Sequence, residues 1–303
     1  TIGDQITPVD YLGGNFIVNK TTGLDERFYI LATENGTTIT VTNTTTTNAL
    51  INWGETYEYV LTDEINFIET NKPVYLIHVS GNGCNLGMTQ VPHVYCAGKY
   101  EQSFSRTSVD SFGLIINVRS GFEDQFTLNG STTLVTATDF SAVPGSSGEY
   151  VSGVIYFNTT DLPIGGYNNL SNTGDIFSLA TINGSSTTGS AYSYVSEFQS
   201  YPFLQSGVNA TICANSEFDV TGIIGGGSFT GLWAGNGFGT WDKGLDKLIN
   251  TYYPSDLDTM ISPINLILIT TGPCPVLKDT IVLLVFCKFL APLCIKYEGK
   301  AII

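Results

Sequence analysis

The stretch that most constrains the fold runs from residue 71 to residue 96, NKPVYLIHVSGNGCNLGMTQVPHVYC. Its residues 74–79 are rich in β-branched and aromatic side chains, which predicts a buried strand. The turn signals on either side are Asn71-Lys72-Pro73 and Gly81-Asn82-Gly83. Cys84 and Cys96 bracket the residues after the second turn signal. We therefore predict a core strand leading into a surface loop closed by a Cys84–Cys96 disulfide, a closure that contributes about 2–3 kcal/mol.

The composition is typical of an extracellular β-protein. Of the 303 residues, 42% are hydrophobic, enough for packed cores, whereas only 13% are charged. The formal net charge is -15 and basic residues do not cluster. Nucleic-acid binding is therefore not expected, because phosphate neutralisation requires grouped Lys and Arg. The apolar runs near the C-terminus are too short or are interrupted by Pro, so we expect no membrane insertion.

Turn signals divide the chain into short strands, and helical periodicity is nearly absent. Three Asn-Gly pairs, at residues 35–36, 129–130 and 183–184, each lie between two strand-like runs. Because Asn-Gly suits a type I′ turn, each pair predicts a β-hairpin. One short helix is predicted at residues 241–250, although Gly244 lies inside it. These signals together predict an all-β fold class.

A repeated order of motifs predicts the domain organisation. A Phe-led hairpin, then Gly-Glu (Gly54-Glu55 or Gly148-Glu149), a polar turn and a dense strand occur twice. We predict tandem β-sandwiches: two similar halves at 1–101 and 102–200, a linker at 200–203, an Ig-like sandwich at 203–286, and the start of a further module at 287–303.

The third sandwich is predicted from the Ig-like order of a cysteine, a buried tryptophan and a second cysteine, here Cys213, Trp233 and Cys274. A Cys213–Cys274 bridge closes a large loop and contributes roughly 4 kcal/mol. Six cysteines without a CxxC pair, and only two His, favour disulfides of a secreted protein over a zinc site. The pairing of Cys287 and Cys294 is left open.

Two sets of motifs carry family resemblances. The first set lies between residues 24 and 198, and it comprises FYILATENGTTITV (28–41), Gly54-Glu55, NKPVYL (71–76), GCNLGM (83–88), Val91-Pro92, CAG (96–98), VPG (143–145) and YSY (192–194). In this order they resemble the N-terminal type of domain of IgGFc-binding proteins. The second set comprises Cys213, Trp233-x-Gly235-x-Gly237, Tyr253-Pro254-Ser255-x-x-Asp258 and Cys274. It is similar to Ig-like repeats in large surface proteins of gliding Bacteroidota-type bacteria. Together the resemblances imply a type IX-secreted, non-enzymatic binding protein.

The residues themselves offer no catalytic constellation. Neither a nucleophile elbow nor a metalloprotease motif occurs, so we predict no catalytic residues and no enzyme. His78 lies in the core strand and is predicted to be hydrogen-bonded there. No cofactor is expected beyond a weakly bound Ca²⁺, for which Asp256 and Asp258 are candidates. The candidate contact surface is the loop between the first two cysteines, with Asn85, Met88, Gln90, His93 and Tyr95.

The predicted function is an extracellular adhesive or structural module of a large bacterial cell-surface protein. Its partners would be other cell-surface or extracellular proteins or glycans, which it binds through loops and strand edges. Two alternatives stay open. Exposed strand edges would allow a self-assembling, homo-oligomeric fibre subunit, and exposed tyrosines would suit a carbohydrate-binding module.

Overall fold

The computed structural model describes residues 6–198, 203–214, 216–225, 230–271, 274, 276–286, 296–297 and 300–301. These residues form strands and connecting turns with very little helix, which confirms the predicted all-β class. The chain separates into two compact units, Thr1–Ser200 and Tyr201–Ile303. The predicted linker at 200–203 lies almost entirely outside the described residues, as do Cys287, Cys294 and most of the predicted module at 287–303.

The first half of the N-terminal unit is one eight-stranded sheet that folds over itself. Its strands are β1 (Gly13–Asn19), β2 (Thr22–Gly23), β3 (Arg27–Ala32), β4 (Thr37–Thr42), β5 (Thr46–Ile51), β6 (Thr56–Val60), β7 (Ile65–Gly83) and β8 (Asn85–Gln90). A short 3-10 turn at Val9–Tyr11 precedes them. The long strand β7 pairs with β1 and β4 along its first part and with β3 and β8 along its second part.

The predicted turn at Asn71-Lys72-Pro73 is wrong, because β7 continues through it. The register shows why proline is tolerated there. The pairing with β4 ends at Thr70, and the pairing with β3 begins at Val74. Proline lacks an N–H group and is therefore accepted where a strand changes partners. The Asn71 side chain occupies the gap, and its Oδ1 accepts the Thr38 N–H at 2.8 Å.

The three Asn-Gly pairs have three different outcomes. The pair at 35–36 joins β3 to β4, but these strands do not pair with each other. β3 pairs with residues 74–79 of β7 and β4 pairs with residues 67–70, so the predicted hairpin is wrong. Asn129 and Gly130 have φ values of 52° and 80°, as a type I′ turn requires, yet residues 132–135 form no strand. Only the pair at 183–184 belongs to a predicted hairpin that forms, and it lies within a strand rather than at the turn.

The second half repeats most of the strand pairing of the first half. Its strands are β9 (Glu101–Ser105), β10 (Ser111–Arg119), β11 (Phe126–Leu128), β12 (Ser141–Ala142), β13 (Tyr150–Phe157), β14 (Tyr167–Asn172), β15 (Ser178–Ser185) and β16 (Gly189–Tyr194), with a 3-10 turn at Ala137–Asp139. β10 lies between β13 and β15 as β3 lies between β6 and β7, and β14 lies between β9 and β11 as the first part of β7 lies between β1 and β4. Two similar sandwich halves are therefore present.

Each half buries its own core, and the halves then pack on each other. Phe16, Phe28, Ile30 and Leu76 belong to the first core. Phe112, Leu114, Phe126 and Phe177 belong to the second core. Strand β10 is buried on both faces, because its outward residues also lie in a contact layer that contains Tyr192 and Tyr194. This double burial explains the nearly unbroken apolar run FGLIINV at residues 112–118.

The C-terminal unit is the smaller, Ig-like sandwich. Its elements are β17 (Phe203–Gln205), β18 (Ala210–Cys213), β19 (Phe218–Thr221), β20 (Ile223–Gly225), β21 (Thr230–Gly235), β22 (Thr240–Trp241), β23 (Ile249–Tyr253), α1 (Asp258–Ile261), β24 (Ile264–Thr271), β25 (Lys278–Phe286), β26 (Lys296–Tyr297) and β27 (Lys300–Ala301). The larger sheet has the order β18-β25-β24-β21, and the other main sheet has the order β19-β23-β22. Trp233 is buried in the core against Trp241 and Tyr252, as predicted.

The predicted helix at residues 241–250 is wrong. Gly244 lies in a turn between β22 and β23, and the Asn250 side chain bonds the backbone of Lys243 and Gly244 on that turn. The Leu245 carbonyl accepts the Trp233 N–H at 2.8 Å. These contacts hold the segment against the sandwich as an irregular turn. A helix is disfavoured here because glycine has a low helix propensity.

The predicted Cys84–Cys96 disulfide is wrong. Cys84 has a free, exposed thiol at the tip of the β7–β8 hairpin, whereas Cys96 is buried and disulfide-bonded. Strand β8 follows Cys84 directly and pairs with β7. Its six extended residues span about 20 Å and lead the chain away from Cys84. A disulfide needs Cα atoms within about 7 Å. Cys213 and Cys274 are also disulfide-bonded, and their pairing with each other stays a prediction.

The cysteine assignment gives a direct chemical prediction. Iodoacetamide should label Cys84 in the native, unreduced protein, and Cys96, Cys213 and Cys274 only after reduction, as read by peptide mass spectrometry. Cys84→Ser should change the free energy of unfolding by less than about 0.5 kcal/mol. Cys96→Ser should lower it by about 2–4 kcal/mol. Labelling of Cys96 before reduction would contradict the assignment.

Candidate functional site

A polar cleft of about 500 Å³ opens where the two halves of the N-terminal unit meet. One wall comes from the end of β1, from β2 and from the β6–β7 connection, and the other wall comes from β13 and the segment before it. The lining residues are Asn19, Lys20, Thr21, Thr22, Thr62, Glu64, Ile65, Asp139, Ser141, Ser152, Gly153, Val154 and Tyr156. Hydroxyl, carboxylate and ammonium groups therefore dominate its surface.

Lys20 and Glu64 are the charged groups of the first wall. The Lys20 backbone N–H donates to the Glu64 carbonyl at 2.9 Å, which fixes the two residues side by side. In the described part of the chain, neither side chain takes part in an ion pair. The Lys20 ammonium and the Glu64 carboxylate are therefore available to a ligand as donor and acceptor.

Tyr156 is the aromatic residue of the opposite wall, and its side chain is held in place. It is 42% exposed, and its hydroxyl interacts with the side chains of Thr22 and Thr21 across the cleft. Burial of the hydroxyl end raises the pKa of Tyr156. One edge of the ring is thus anchored at the junction while part of the side chain stays in contact with solvent.

Asp139 completes the second wall and is also fixed. It ends the short 3-10 turn Ala137–Asp139, and its Oδ2 accepts the Thr136 N–H at 2.7 Å and the Thr136 hydroxyl at 2.9 Å. Such a capping arrangement leaves the carboxylate with further lone pairs for other donors.

The wall of Thr21 and Thr22 is supported from behind by a buried carboxylate, Glu26, which has no solvent exposure. Its Oε1 accepts the Gly23 N–H at 2.6 Å and the Thr21 hydroxyl at 2.7 Å. Its Oε2 accepts the Thr21 N–H at 2.9 Å and the Ser80 hydroxyl at 3.1 Å. Four donors thus satisfy the buried carboxyl oxygens and hold the rim of the cleft in one conformation.

A chain of buried polar side chains joins the two halves behind the cleft. His78 Nδ1 lies 2.8 Å from the Tyr192 hydroxyl of the other half, and its Nε2 lies 3.8 Å from Glu26 Oε2. On the other side, Asn19 Nδ2 donates to the Ser152 hydroxyl at 2.7 Å. Hydrogen bonds in a buried environment fix the relative position of the halves, since each broken bond would leave a desolvated group.

The buried His78 predicts an acid sensitivity. Burial lowers its pKa to about 3, far below the usual 6.5, and the titratable groups that face it are Glu26 and Tyr192. The unfolded chain therefore binds one more proton between these two pKa values. As pH falls from about 6.5 towards 3, the free energy of unfolding should fall by up to about 1.4 kcal/mol per pH unit.

The His78→Gln variant isolates this contribution, because glutamine keeps a polar group next to Tyr192 but does not titrate. Denaturant titrations between pH 4 and 7, at about one-unit steps, should show a shallower acid slope for the variant than for the wild type. Equal slopes for the two proteins would contradict a neutral, buried His78.

The residues predicted as a contact loop lie mostly against their own unit. Asn85 donates to the Ser185 carbonyl at 3.2 Å, and Gln90 is buried with its Oε1 on the Thr7 N–H. His93 and Met88 are half-buried. Only Tyr95 of the five is exposed, and its hydroxyl accepts a hydrogen bond from Asn15. A contact role for this segment stays a prediction.

The candidate calcium ligands are placed differently from each other. Asp256 lies in a turn, whereas Asp258 is fully buried and accepts hydrogen bonds from the Phe238 N–H, the Tyr252 hydroxyl and the Ser255 N–H. These bonds give Asp258 a structural role. Within the described ranges, no group of three or more His, Cys, Asp or Glu is placed to hold a metal ion. A weakly bound Ca²⁺ therefore stays a prediction.

Sequence reasoning missed the cleft and its support. The alternation of β3 carried a usable signal, because Glu26 shares a face with Phe28, Ile30 and Ala32, all of which are buried. His78 and Ser80 likewise continue the buried face of Val74 and Leu76. No local pattern, however, could bring Lys20 and Tyr156 to opposite walls of one cleft, because they belong to different halves.

Disulfide-bonded cysteines on a β-sandwich chain fit a secreted, extracellular protein. Across the described residues, no helix is both long and apolar enough to span a bilayer. The family model described as IgGFc binding protein matches residues 1–194. The chain belongs to this family, which is a family of extracellular binding domains.

Other comparisons add little to this assignment. No curated protein matches the chain. One similar solved structure is titled "Crystal structure of Dpr2 Ig1-Ig2 in complex with DIP-Theta Ig1-Ig3", at 9% sequence identity and a TM-score of 0.22, with 89% of this chain and 98% of that chain covered. The family assignment rests on the sequence match alone.

Proposed function

We propose that the chain is an adhesive module of a large bacterial cell-surface protein and is exported by type IX secretion. It binds extracellular proteins or glycans of partner cells and surfaces. The single observation that carries the proposal is the family match over residues 1–194. An adhesive module must also resist deformation, and the buried hydrogen bonds His78–Tyr192 and Asn19–Ser152 between the two halves support this.

The proposal assigns binding and no catalysis. His78 is fully buried, so a substrate cannot reach its imidazole. His93 is half-buried against Gly13, where a Cβ atom on the glycine would lie 2.4 Å from His93 Cγ. General acid–base chemistry requires a group within hydrogen-bond reach of the reacting atom. Neither histidine is arranged in that way.

Two experiments test this function on the full chain. Antibodies against the chain should label intact, unpermeabilised cells of the bacterium that produces it. Beads coated with the folded chain should be retained on surfaces coated with mucin or extracellular-matrix protein, and beads coated with the reduced and alkylated chain should not. Absence of surface labelling, or equal retention of both kinds of bead, would contradict the proposal.

Self-assembly is the second candidate function, and the free edge of β5 favours it. Strand β5 ends the path β5-β4-β7-β3-β6, and its sequence, TTNALI, contains neither the lysine nor the proline that commonly protect an edge. Leu50 and Trp53 at this edge are 66% and 72% exposed. Mass photometry should then show oligomers that Leu50→Lys removes. A wild type that is monomeric at every concentration would argue against it.

A further inference from the structure

We infer that the polar cleft is a binding site for a neutral saccharide of one or two rings. The inference rests on the proposed function and deepens it, because it names the class of ligand and the place where the module holds it. The volume of about 500 Å³ falls within the range of about 300–1,000 Å³ that is typical of ligand sites. The contact loop predicted from the sequence does not contribute to this cleft.

The arrangement of donors and acceptors matches the hydroxyl groups of a sugar. A sugar hydroxyl both donates and accepts, so it is satisfied best where a cation and a carboxylate lie close together. Lys20 and Glu64 are adjacent at the mouth, and the Asp139 carboxylate lies on the facing wall. Ser141 and Thr62 add neutral hydroxyls around them.

The charge balance selects against anionic ligands. One ammonium group, from Lys20, is opposed by the two carboxylates of Glu64 and Asp139. The whole chain also carries a formal net charge of -15. A phosphate or a sialic acid would be repelled, because like charges raise the free energy of the complex.

Tyr156 supplies the apolar surface that a sugar ring requires. The side chain is 42% exposed, and its hydroxyl is held at Thr22 and Thr21. A fixed aromatic ring gives a flat face for the C–H groups of a pyranose, without the entropic cost of ordering the ring on binding. The Glu26 carboxylate fixes Thr21 in turn, so the site is preorganised.

The cleft is poorly suited to a peptide. Peptide recognition needs apolar pockets for side-chain anchors or a free strand edge for backbone pairing. Ile65 and Val154 are the aliphatic residues among those that line the cleft. β13, which forms the far wall, pairs with β10 along its length and with β12 only at Val151 and Ser152. A peptide therefore finds few apolar anchors here.

The test uses the full chain and defined probes. Saturation-transfer NMR and calorimetry are run with cellobiose, maltose, lactose and N,N′-diacetylchitobiose, and with 3′-sialyllactose and the dipeptide Gly-Leu as comparators. At least one neutral disaccharide should bind, and the comparators should bind at least about tenfold more weakly. Glu64→Gln and Lys20→Met should each weaken binding by about tenfold, because each removes a charge-assisted hydrogen bond.

Tyr156→Ala should also abolish disaccharide binding, and the matched control Tyr167→Ala should not. Tyr167 is an exposed tyrosine of the same half that does not line the cleft. Circular dichroism checks that each variant is folded. Glu64 is exposed, so Glu64→Gln should fold like the wild type. It therefore tests the site even if Tyr156→Ala misfolds.

Three results would overturn the saccharide site. These are the absence of binding by every neutral disaccharide, affinities unchanged in all cleft variants, and a preference for 3′-sialyllactose or the dipeptide. The outcome is separable from that of the proposed function. Wild-type bead retention without binding of any neutral disaccharide would reject the saccharide site and keep the adhesive role, whereas absence of retention by the wild type would reject the adhesive role.

Discussion

Glu26→Ala should lower the free energy of unfolding of the N-terminal unit by about 3–5 kcal/mol. The carboxylate is fully buried and accepts hydrogen bonds from Gly23, Ser80 and both the backbone and the hydroxyl of Thr21. Alanine would leave these donors without their acceptor and would open a small cavity. Each unsatisfied buried donor costs about 1–3 kcal/mol, although some would regain water.

Glu58→Ala is the matched control for this prediction. Glu58 forms an ion pair with Arg27 on the surface, with both side chains substantially exposed. Exposed ion pairs of this kind contribute about 0–1 kcal/mol. Urea unfolding followed by circular dichroism should therefore separate the two variants clearly. Similar midpoints for Glu26→Ala and Glu58→Ala would show that Glu26 is not the support that its contacts indicate.

The Glu26 variant should also affect the cleft. Thr21 and Gly23 lie at the rim or directly behind it, and the Glu26 carboxylate holds both. Loss of this support would free the rim, so a ligand would have to order it on binding. We therefore expect disaccharide affinity to fall in Glu26→Ala under conditions in which the unit is still folded.

Trp233→Ala should lower the free energy of unfolding of the C-terminal unit by about 3–5 kcal/mol. Trp233 is 1% exposed and stacks on Trp241 with ring centroids 5.6 Å apart. Its Nε1–H donates to the Lys247 carbonyl at 3.1 Å. The substitution removes the largest side chain of this core, leaves a cavity and deprives the carbonyl of its donor.

Trp53→Ala is the control for the tryptophan, because Trp53 is 72% exposed. That change should stay within about 0.5 kcal/mol. Two of the three tryptophans of the chain, Trp233 and Trp241, lie in the C-terminal unit. Fluorescence-detected unfolding of Trp53→Ala therefore reports this unit alone, and Trp233→Ala should unfold at much lower denaturant. Equal midpoints would contradict the predicted core role.

Much of the fold could be predicted because its signals are local. The alternation of apolar residues, the Gly-Glu repeat and the Cys–Trp–Cys order led to paired sandwich halves and an Ig-like unit, and the buried Trp233 followed from the same order. The errors arose where pairing is non-local. Asn35-Gly36 connects two strands that pair one after the other with β7 and not with each other. Asn183-Gly184 fits a turn locally, yet the ladder with β16 continues past it.

The disulfide error has the same origin. The spacing of Cys84 and Cys96 suits a short closed loop, and only the pairing of β8 with β7 shows that an extended strand separates them. The same pairing leaves Cys84 exposed at the hairpin tip while Cys96 is buried and oxidised elsewhere. A cysteine pattern limits the set of pairings, but the backbone path selects one of them.

The sequence by itself determined the all-β class, because composition and alternation are properties of each segment alone, and the family match over residues 1–194 supplied the extracellular binding class. The tertiary structure decided where that module could hold a ligand. Lys20 and Glu64 face Tyr156 and Asp139 only because two sandwich halves pack together. Strand registers and inter-half contacts are set by the free energy of the whole unit, and no short segment records that balance.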